Sequence, residues 1–227
     1  MSEITIGKRL CTAAALVRRG ARLADVGTDH AYLPIYLLEA GLIESAILSD
    51  VNEGPLEKAR ENVLKYGFSD KTELTLGSGA SHLGQSGATD YTVCGMGGEL
   101  IADIIENAPH LRSADINLVL QPMTRPELLR KYLWDNGFSI LDERYATDEG
   151  KHYVCLGVRS SGVKEEYTGA ELYFGKRPER ALETEDGRAY INARLGALIR
   201  IKDGKLAGGK DASAEQEIIE TITKILG

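Results

Sequence analysis

Four short segments, each following an apolar run, carry the residues of this chain best suited to chemistry: Gly27-Thr28-Asp29-His30, Asp50-Val51-Asn52, Gly77-Ser78-Gly79-Ala80 and Gly95-Met96-Gly97-Gly98. Glycine lets backbone approach a ligand closely and adopt positive φ where a side chain would collide. Asp25 closes the first apolar run just ahead of Gly27, and Asp50 closes the second. A carboxylate at the end of the second strand of a nucleotide-binding unit can accept both hydroxyls of a ribose. The pattern outlines a cradle for an adenosine-containing cofactor.

The first segment narrows the choice of cofactor. A pyrophosphate seat needs Gly-x-Gly-x-x-Gly and an unobstructed helix N-terminus. Here Gly27 stands alone, and Asp29 occupies the place where a second glycine would approach a phosphate. A carboxylate there repels phosphates and tolerates a sulfonium and an ammonium, so S-adenosylmethionine fits better than NAD. Asp29 as the N-cap of a helix starting near Tyr32 is the competing structural reading, and Met96 as ordinary core filling is another.

These segments need elements to position them. Apolar, β-rich runs at 22–26, 46–51, 73–76, 91–94 and 118–120 alternate with helical patterns at 32–40, 54–66, 98–106 and 126–136, which predicts an α/β fold with a parallel sheet covered on both faces. Strand-like runs at 138–145 and 153–158 have no helix between them, so the sheet should end in an antiparallel hairpin. That ending is shared by the class I methyltransferases, whereas dinucleotide dehydrogenases usually continue with parallel strands. An amphipathic helix is expected over 7–19, ahead of the first strand. Apolar stripes over 186–206 and 214–226, separated by Gly208-Gly209, predict a helical, coiled-coil-like hairpin or a pair of helices packed back onto the main body. The expected division is a catalytic domain over 1–163 and a helical extension over 164–227.

Composition sets limits. The 227 residues carry a net charge of −7, which opposes binding of a large polyanion by overall charge. Local cations can still do so: residues 1–23 hold Lys8, Arg9, Arg18, Arg19 and Arg22 against Glu3 alone, and Lys176, Arg177, Arg180, Arg194, Arg200, Lys202 and Lys205 form a second group. Either group can equally be a solvated, salt-bridged face. Cys11, Cys94 and Cys155 lack metal-ligand spacing, so no metal site is expected. No apolar run approaches the roughly 18 residues of a membrane span, and a cytoplasmic location is expected.

The strings Ala24-Asp25-Val26-Gly27-Thr28-Asp29-His30-Ala31-Tyr32-Leu33-Pro34, Cys94-Gly95-Met96-Gly97-Gly98 and Leu120-Gln121-Pro122 resemble the bacterial tRNA (adenine-N1)-methyltransferases that modify adenine 22. The resemblance covers residues 3 to about 160 and continues more loosely to the end. It implies a Rossmann-like class I methyltransferase sheet, S-adenosylmethionine as donor and tRNA as substrate, contacted by basic residues such as Lys8, Arg9, Arg18 and Arg19. Gly27 would let the methionine part approach the backbone, Asp50 would hold the ribose, and Ser78, Gly79 and Ala80 would flank the adenine, with Asp25, Thr28, Val51 and Asn52 as further cofactor-binding residues. Gly95, Met96 and Gly97 would line the passage to the substrate. On the chemistry of N1 methylation, Asp29, or His30 as a second candidate, would stabilise the cationic product or accept a proton, and Gln121 would hydrogen-bond the base edge. Two positions depart from the family: Met123 follows Gln121-Pro122 where Asn is usual, and Ser78 stands where methyltransferases often carry an acid. A methyltransferase of small molecules or proteins, a nicotinamide oxidoreductase and a non-enzymatic binding module remain as rival readings.

Overall fold

A computed structural model describes residues 4–226. After α1 (Lys8–Ala14) the chain alternates through β1 (Ala21–Val26), α2 (Tyr32–Glu39), β2 (Ile43–Asp50), α3 (Glu53–Tyr66), β3 (Thr72–Leu76), β4 (Asp90–Gly97), α4 (Gly98–Glu106), β5 (Asn117–Thr124) and α5 (Pro126–Asp135). The hairpin β6 (Phe138–Asp148) and β7 (Lys151–Ser160) follows, and then α6 (Gly169–Phe174), α7 (Pro178–Ala181), α8 (Glu185–Ala207) and α9 (Ser213–Leu226). The strands form one sheet in the order β3-β2-β1-β4-β5-β7-β6. Strands β1 to β5 are parallel, and β7 enters antiparallel between β5 and β6.

Period-two alternation along the strands builds a core on each face. Ala24, Val26, Leu118, Leu120, Val154 and Leu156 face α4, α5 and the C-terminal helices. Leu23, Ala46, Leu48, Val119 and Cys155 face α1, α2 and α3. Parallel strands buried on both sides therefore read as almost continuous apolar runs.

Two features differ from the sequence expectation. Helix α1 stops at Ala14 because the chain beyond it is drawn to the start of β4. Asp90, fully buried, accepts the Arg18 backbone N–H at 2.9 Å, Arg18 Nε at 2.8 Å and Asn117 Nδ2 at 2.8 Å. The hairpin strands run longer than predicted, since Glu149 (φ 49°) and Gly150 (φ 73°) complete the turn alone; two successive positive φ values match the twist of the strands they join.

The C-terminal segment does not stand apart. Phe174, Ala181, Tyr190, Ile191, Leu198 and Ile222 are buried in the same core as the β4, β5 and β7 side chains. Gly187 lies so close to Ala181 that a Cβ there would overlap the Ala181 carbonyl oxygen. Helices α8 and α9 do touch each other, yet α8 also packs on β6 and β7. Among the described residues no helix is long and apolar enough to cross a membrane.

Candidate cofactor and substrate site

Strands β1 and β4 are neighbours whose connections leave the sheet in opposite directions, and such a switch point opens a crevice beyond the carboxyl ends of the strands. A cavity of about 590 Å³ lies there, lined by residues from all four glycine- or aspartate-bearing segments. It is within the size range of small-ligand sites.

The first wall is the turn after β1. Gly27 has φ +79°, and the N–H groups of Gly27 and Thr28 donate to the Ser49 carbonyl at 2.8 and 3.0 Å, tying this turn to β2. A Cβ at Gly27 would overlap Met96 Cε, so the glycine makes room for the Met96 side chain from the end of β4. Asp25 is almost wholly buried and accepts the Thr92 hydroxyl at 2.6 Å. Burial pushes its carboxyl pKa above the ordinary value, and the Thr92 hydrogen bond counters part of that shift.

At the mouth, Asp29 exposes 71% of its side chain and approaches His30 Nε2 at 3.4 Å. It does not cap α2: the N-cap is Ala31, in the left-handed region, with no side-chain cap bond. The His30 carbonyl accepts Asn62 Nδ2 at 3.0 Å, and its ring stacks on Tyr32 with centroids 5.0 Å apart and planes 7° from parallel. The second wall holds Asp50, whose Oδ1 accepts the Asn52 N–H at 2.9 Å, with Val51 and Asn52 beside it. Ser78 and Gly79 close the third side and Gly95 and Met96 the fourth. Cys94 also lines the cavity, and burial keeps its thiol pKa well above the ordinary value, which leaves it protonated and a poor nucleophile at neutral pH.

The structure thus brings together Asp25, Gly27, Asp29, His30, Asp50, Val51, Asn52, Ser78, Gly79, Gly95 and Met96. Thr28 and Ala80 point inward, each 1% exposed, and do not line the cavity. Gly97 is the N-cap of α4 and faces Thr124. Gln121 is fully buried behind the wall, where its Oε1 accepts Arg9 Nη1 at 2.6 Å and the Gly95 N–H at 3.1 Å and its Nε2 donates to the Pro122 carbonyl at 3.0 Å. An amide used in this way does not reach a base edge.

The expected basic patch is also redistributed. Arg18 and Arg22 pair with Asp90 and Glu73 at the amino ends of the parallel strands, opposite the cavity. Arg19 is exposed beside them. Lys8 pairs with Asp186 of α8 at 2.7 Å, and Arg9 lines the cavity itself; Glu3 lies outside the described residues. In the C-terminal group, Lys176, Arg194, Lys202 and Lys205 have carboxylate partners, and Arg177, Arg180 and Arg200 have none among the described residues. Sequence reasoning missed Tyr32, Leu100 and Met123 as cavity residues. All three are exposed apolar side chains, with Tyr32 opening α2, Leu100 in the first turn of α4 and Met123 near the end of β5, and large apolar residues close to the ends of the strands were the available signal.

Comparison with known proteins follows the same lines. The methyltransferase-domain family matches residues 6–156. The tRNA (adenine(22)-N(1))-methyltransferase of Bacillus subtilis (strain 168) is 32% identical over 175 residues, 77% of this chain and 74% of that protein. A candidate tRNA (m1A22) methyltransferase of Streptococcus pneumoniae, solved in complex with S-adenosyl-L-methionine, is 33% identical with a TM-score of 0.81, covering 95% of this chain and 100% of that one. A Streptococcus agalactiae protein of the NADB-Rossmann superfamily is 34% identical with a TM-score of 0.86, over 99% of each chain.

Proposed function

This chain belongs to the tRNA (adenine(22)-N1)-methyltransferase family, and on that premise we propose how its residues serve methyl transfer from S-adenosylmethionine to N1 of adenine 22 in tRNA. The observation that carries the reading is the cavity at the β1/β4 switch point, with a carboxylate from each of Asp25, Asp29 and Asp50.

The residues present fit the cofactor. A dinucleotide would meet Asp29 and a left-handed Ala31 where its phosphates need free N–H groups, whereas a ligand with two positive groups finds carboxylates. Asp50 has one oxygen held by Asn52, which orients the other for the ribose hydroxyls. Val51, Asn52, Ser78 and Gly79 flank the adenine. Asp25 and the Gly27 turn meet the methionine part, and Gly95 and Met96 border the passage toward the mouth. When bound, the cofactor supplies a methyl group on a sulfonium, an already activated leaving group.

The protein's task is then chiefly to position. Aligned reactants can remove roughly 7–11 kcal/mol of barrier without a separate nucleophile. N1 lies on the Watson–Crick edge, so the target base must be extruded to reach the cavity. The Tyr32 ring, stacked on His30, together with Leu100 and Met123, gives the mouth an apolar rim on which an unstacked base can settle. Asp29, exposed beside that rim, stabilises the cationic N1-methyl product or takes a proton from the amino group. Lys8, at the start of α1 and 58% exposed, and Arg125, paired with Glu99 beside the mouth, are the cations placed to meet the RNA backbone near the cavity; Arg18, paired with Asp90, and Arg19 lie at the amino ends of the parallel strands.

Two variants test these roles. Asp50→Ala should lose binding of S-adenosylhomocysteine in calorimetry. Asp29→Asn should bind it normally and methylate tRNA about 10- to 100-fold more slowly, at the modest end of what one charged group contributes. Full turnover of Asp29→Asn would remove that residue from the reaction.

A further inference from the structure

Strand β6 forms the outer edge of the sheet, with β5 and β7 between it and the β1/β4 crevice. After α6 the chain comes back along this edge. The Gly175 backbone lies against the Glu143 carboxylate, where a Cβ would stand 2.7 Å from Oε2, and Asp186 Oδ1 accepts the Thr147 N–H at 3.1 Å. Between these two fixed points the segment 176–185 and β6 leave a cavity of about 310 Å³. It shares no lining residue with the cavity beyond β1 and β4.

Part of its wall is apolar. The register of the β6–β7 pair shifts between Ile140 and Asp142, and a bulge of this kind re-aims side chains at a sheet edge. Ile140 and Leu141 consequently line the cavity together, with Tyr145 and Trp134 beside them. Leu141 is 58% exposed.

The charge of the wall is one-sided. Its three acids are neutralised by partners of their own: Glu143 by Arg130 at 3.0 Å, Glu165 by Lys176 at 2.6 Å and Asp142 by Arg144 at 2.9 Å. Arg177 and Arg180 also line the cavity, and neither pairs with a carboxylate among the described residues. Glu179 and Glu183, on the same segment, are not in the wall. Two uncompensated guanidinium groups beside an apolar hollow attract an anion, and their planar forks match the oxygens of a carboxylate or a phosphate. An RNA phosphate and a small organic anion share that chemistry. The hollow favours the second, because a sugar–phosphate backbone leaves the apolar wall unfilled, whereas an aromatic or aliphatic body buries against it.

We propose that this cavity binds a small organic anion: a carboxylate or phosphate held by Arg177 and Arg180, on an apolar or aromatic body seated against Ile140, Leu141 and Tyr145. It is a second site, separate from the one that serves methyl transfer.

Trp134 is the only tryptophan of the chain, so its fluorescence reports this cavity directly. Phenyl phosphate, titrated into the full chain, should change that fluorescence saturably, and the double variant Arg177→Gln, Arg180→Gln should bind it about 10-fold more weakly, at the low end for losing hydrogen bonds to a charged group. Phenol and inorganic phosphate, each carrying one part of the recognised chemistry, should bind more weakly than phenyl phosphate. Both arginines are exposed, so the double variant should unfold at the wild-type temperature. Saturating S-adenosylhomocysteine should leave the titration unchanged. No saturable change, or one that the double variant leaves intact, would overturn the proposal. Competition by S-adenosylhomocysteine would overturn it by placing the probe in the other cavity. Displacement by unmodified tRNA, with tRNA affinity lowered in the double variant, would overturn it in favour of an RNA backbone contact.

Discussion

At the scale of single residues, Asp25 shows how a binding site is maintained at a cost to stability. Its buried carboxyl has a pKa raised above the ordinary 3.8 by loss of solvation. A carboxyl raised in the folded state stabilises the protein fully below its unfolded pKa, and that contribution is lost as pH rises through the folded value. Above that value, in the absence of a cationic ligand, the ionised group is a net penalty. Asp25→Asn keeps the acceptor for Thr92 and removes the charge. Thermal unfolding of the ligand-free variant at pH 7 should therefore occur above wild type, by about 2–4 °C for each kcal/mol relieved. The difference should vanish near pH 3, and S-adenosylhomocysteine should bind more weakly. A lowered Tm at pH 7 would contradict this. The types of the site residues were legible in the sequence, but the side to which they point was not. Gln121 follows the apolar run of β5 as Asp50 follows that of β2, yet Asp50 lines the cavity and Gln121 turns behind its wall. Arg9 reads in one dimension as one of several cations, and only packing separates it from Arg18, which lies at the other end of the sheet.

At the scale of elements, strand and helix alternation was legible because each element's periodicity matches its burial. The early end of α1 was not, since it depends on Asp90, 72 residues from its partner Arg18. Short α6 and α7 were also missed, being too brief for periodicity to register. The C-terminal stripes were seen, but not which surface they cover; α8 lies on β6 and β7 as well as on α9. Gly187 is where α8 packs tightly on the end of α7, against the Ala181 carbonyl. Gly187→Ala forces a methyl into the Ala181 carbonyl, and overpacking of this kind costs about 1–3 kcal/mol. Because the α8 side chains share the main core, the variant should show one unfolding transition, shifted as a whole to lower temperature. A new low-temperature step, with the main transition unmoved, would show the extension to be an independent unit.

At the scale of the whole molecule, topology sets where the candidate site lies. The reversal of strand order between β1 and β4 opens the cavity, and the exposed apolar side chains Tyr32, Leu100 and Met123 gather at its mouth. With a net charge of −7, binding of tRNA has to rely on local cations near that mouth rather than on overall charge. These features converge on transfer of one methyl group to one ring nitrogen of an extruded adenine. The most direct measurement uses an unmodified tRNA transcript, S-adenosylmethionine and the wild-type chain, followed by mass spectrometry of nucleosides and of nuclease fragments. The predicted product is 1-methyladenosine confined to position 22, and none with a transcript carrying guanine there. Methylation at another position, at the exocyclic nitrogen, or of the guanine-22 transcript would contradict it.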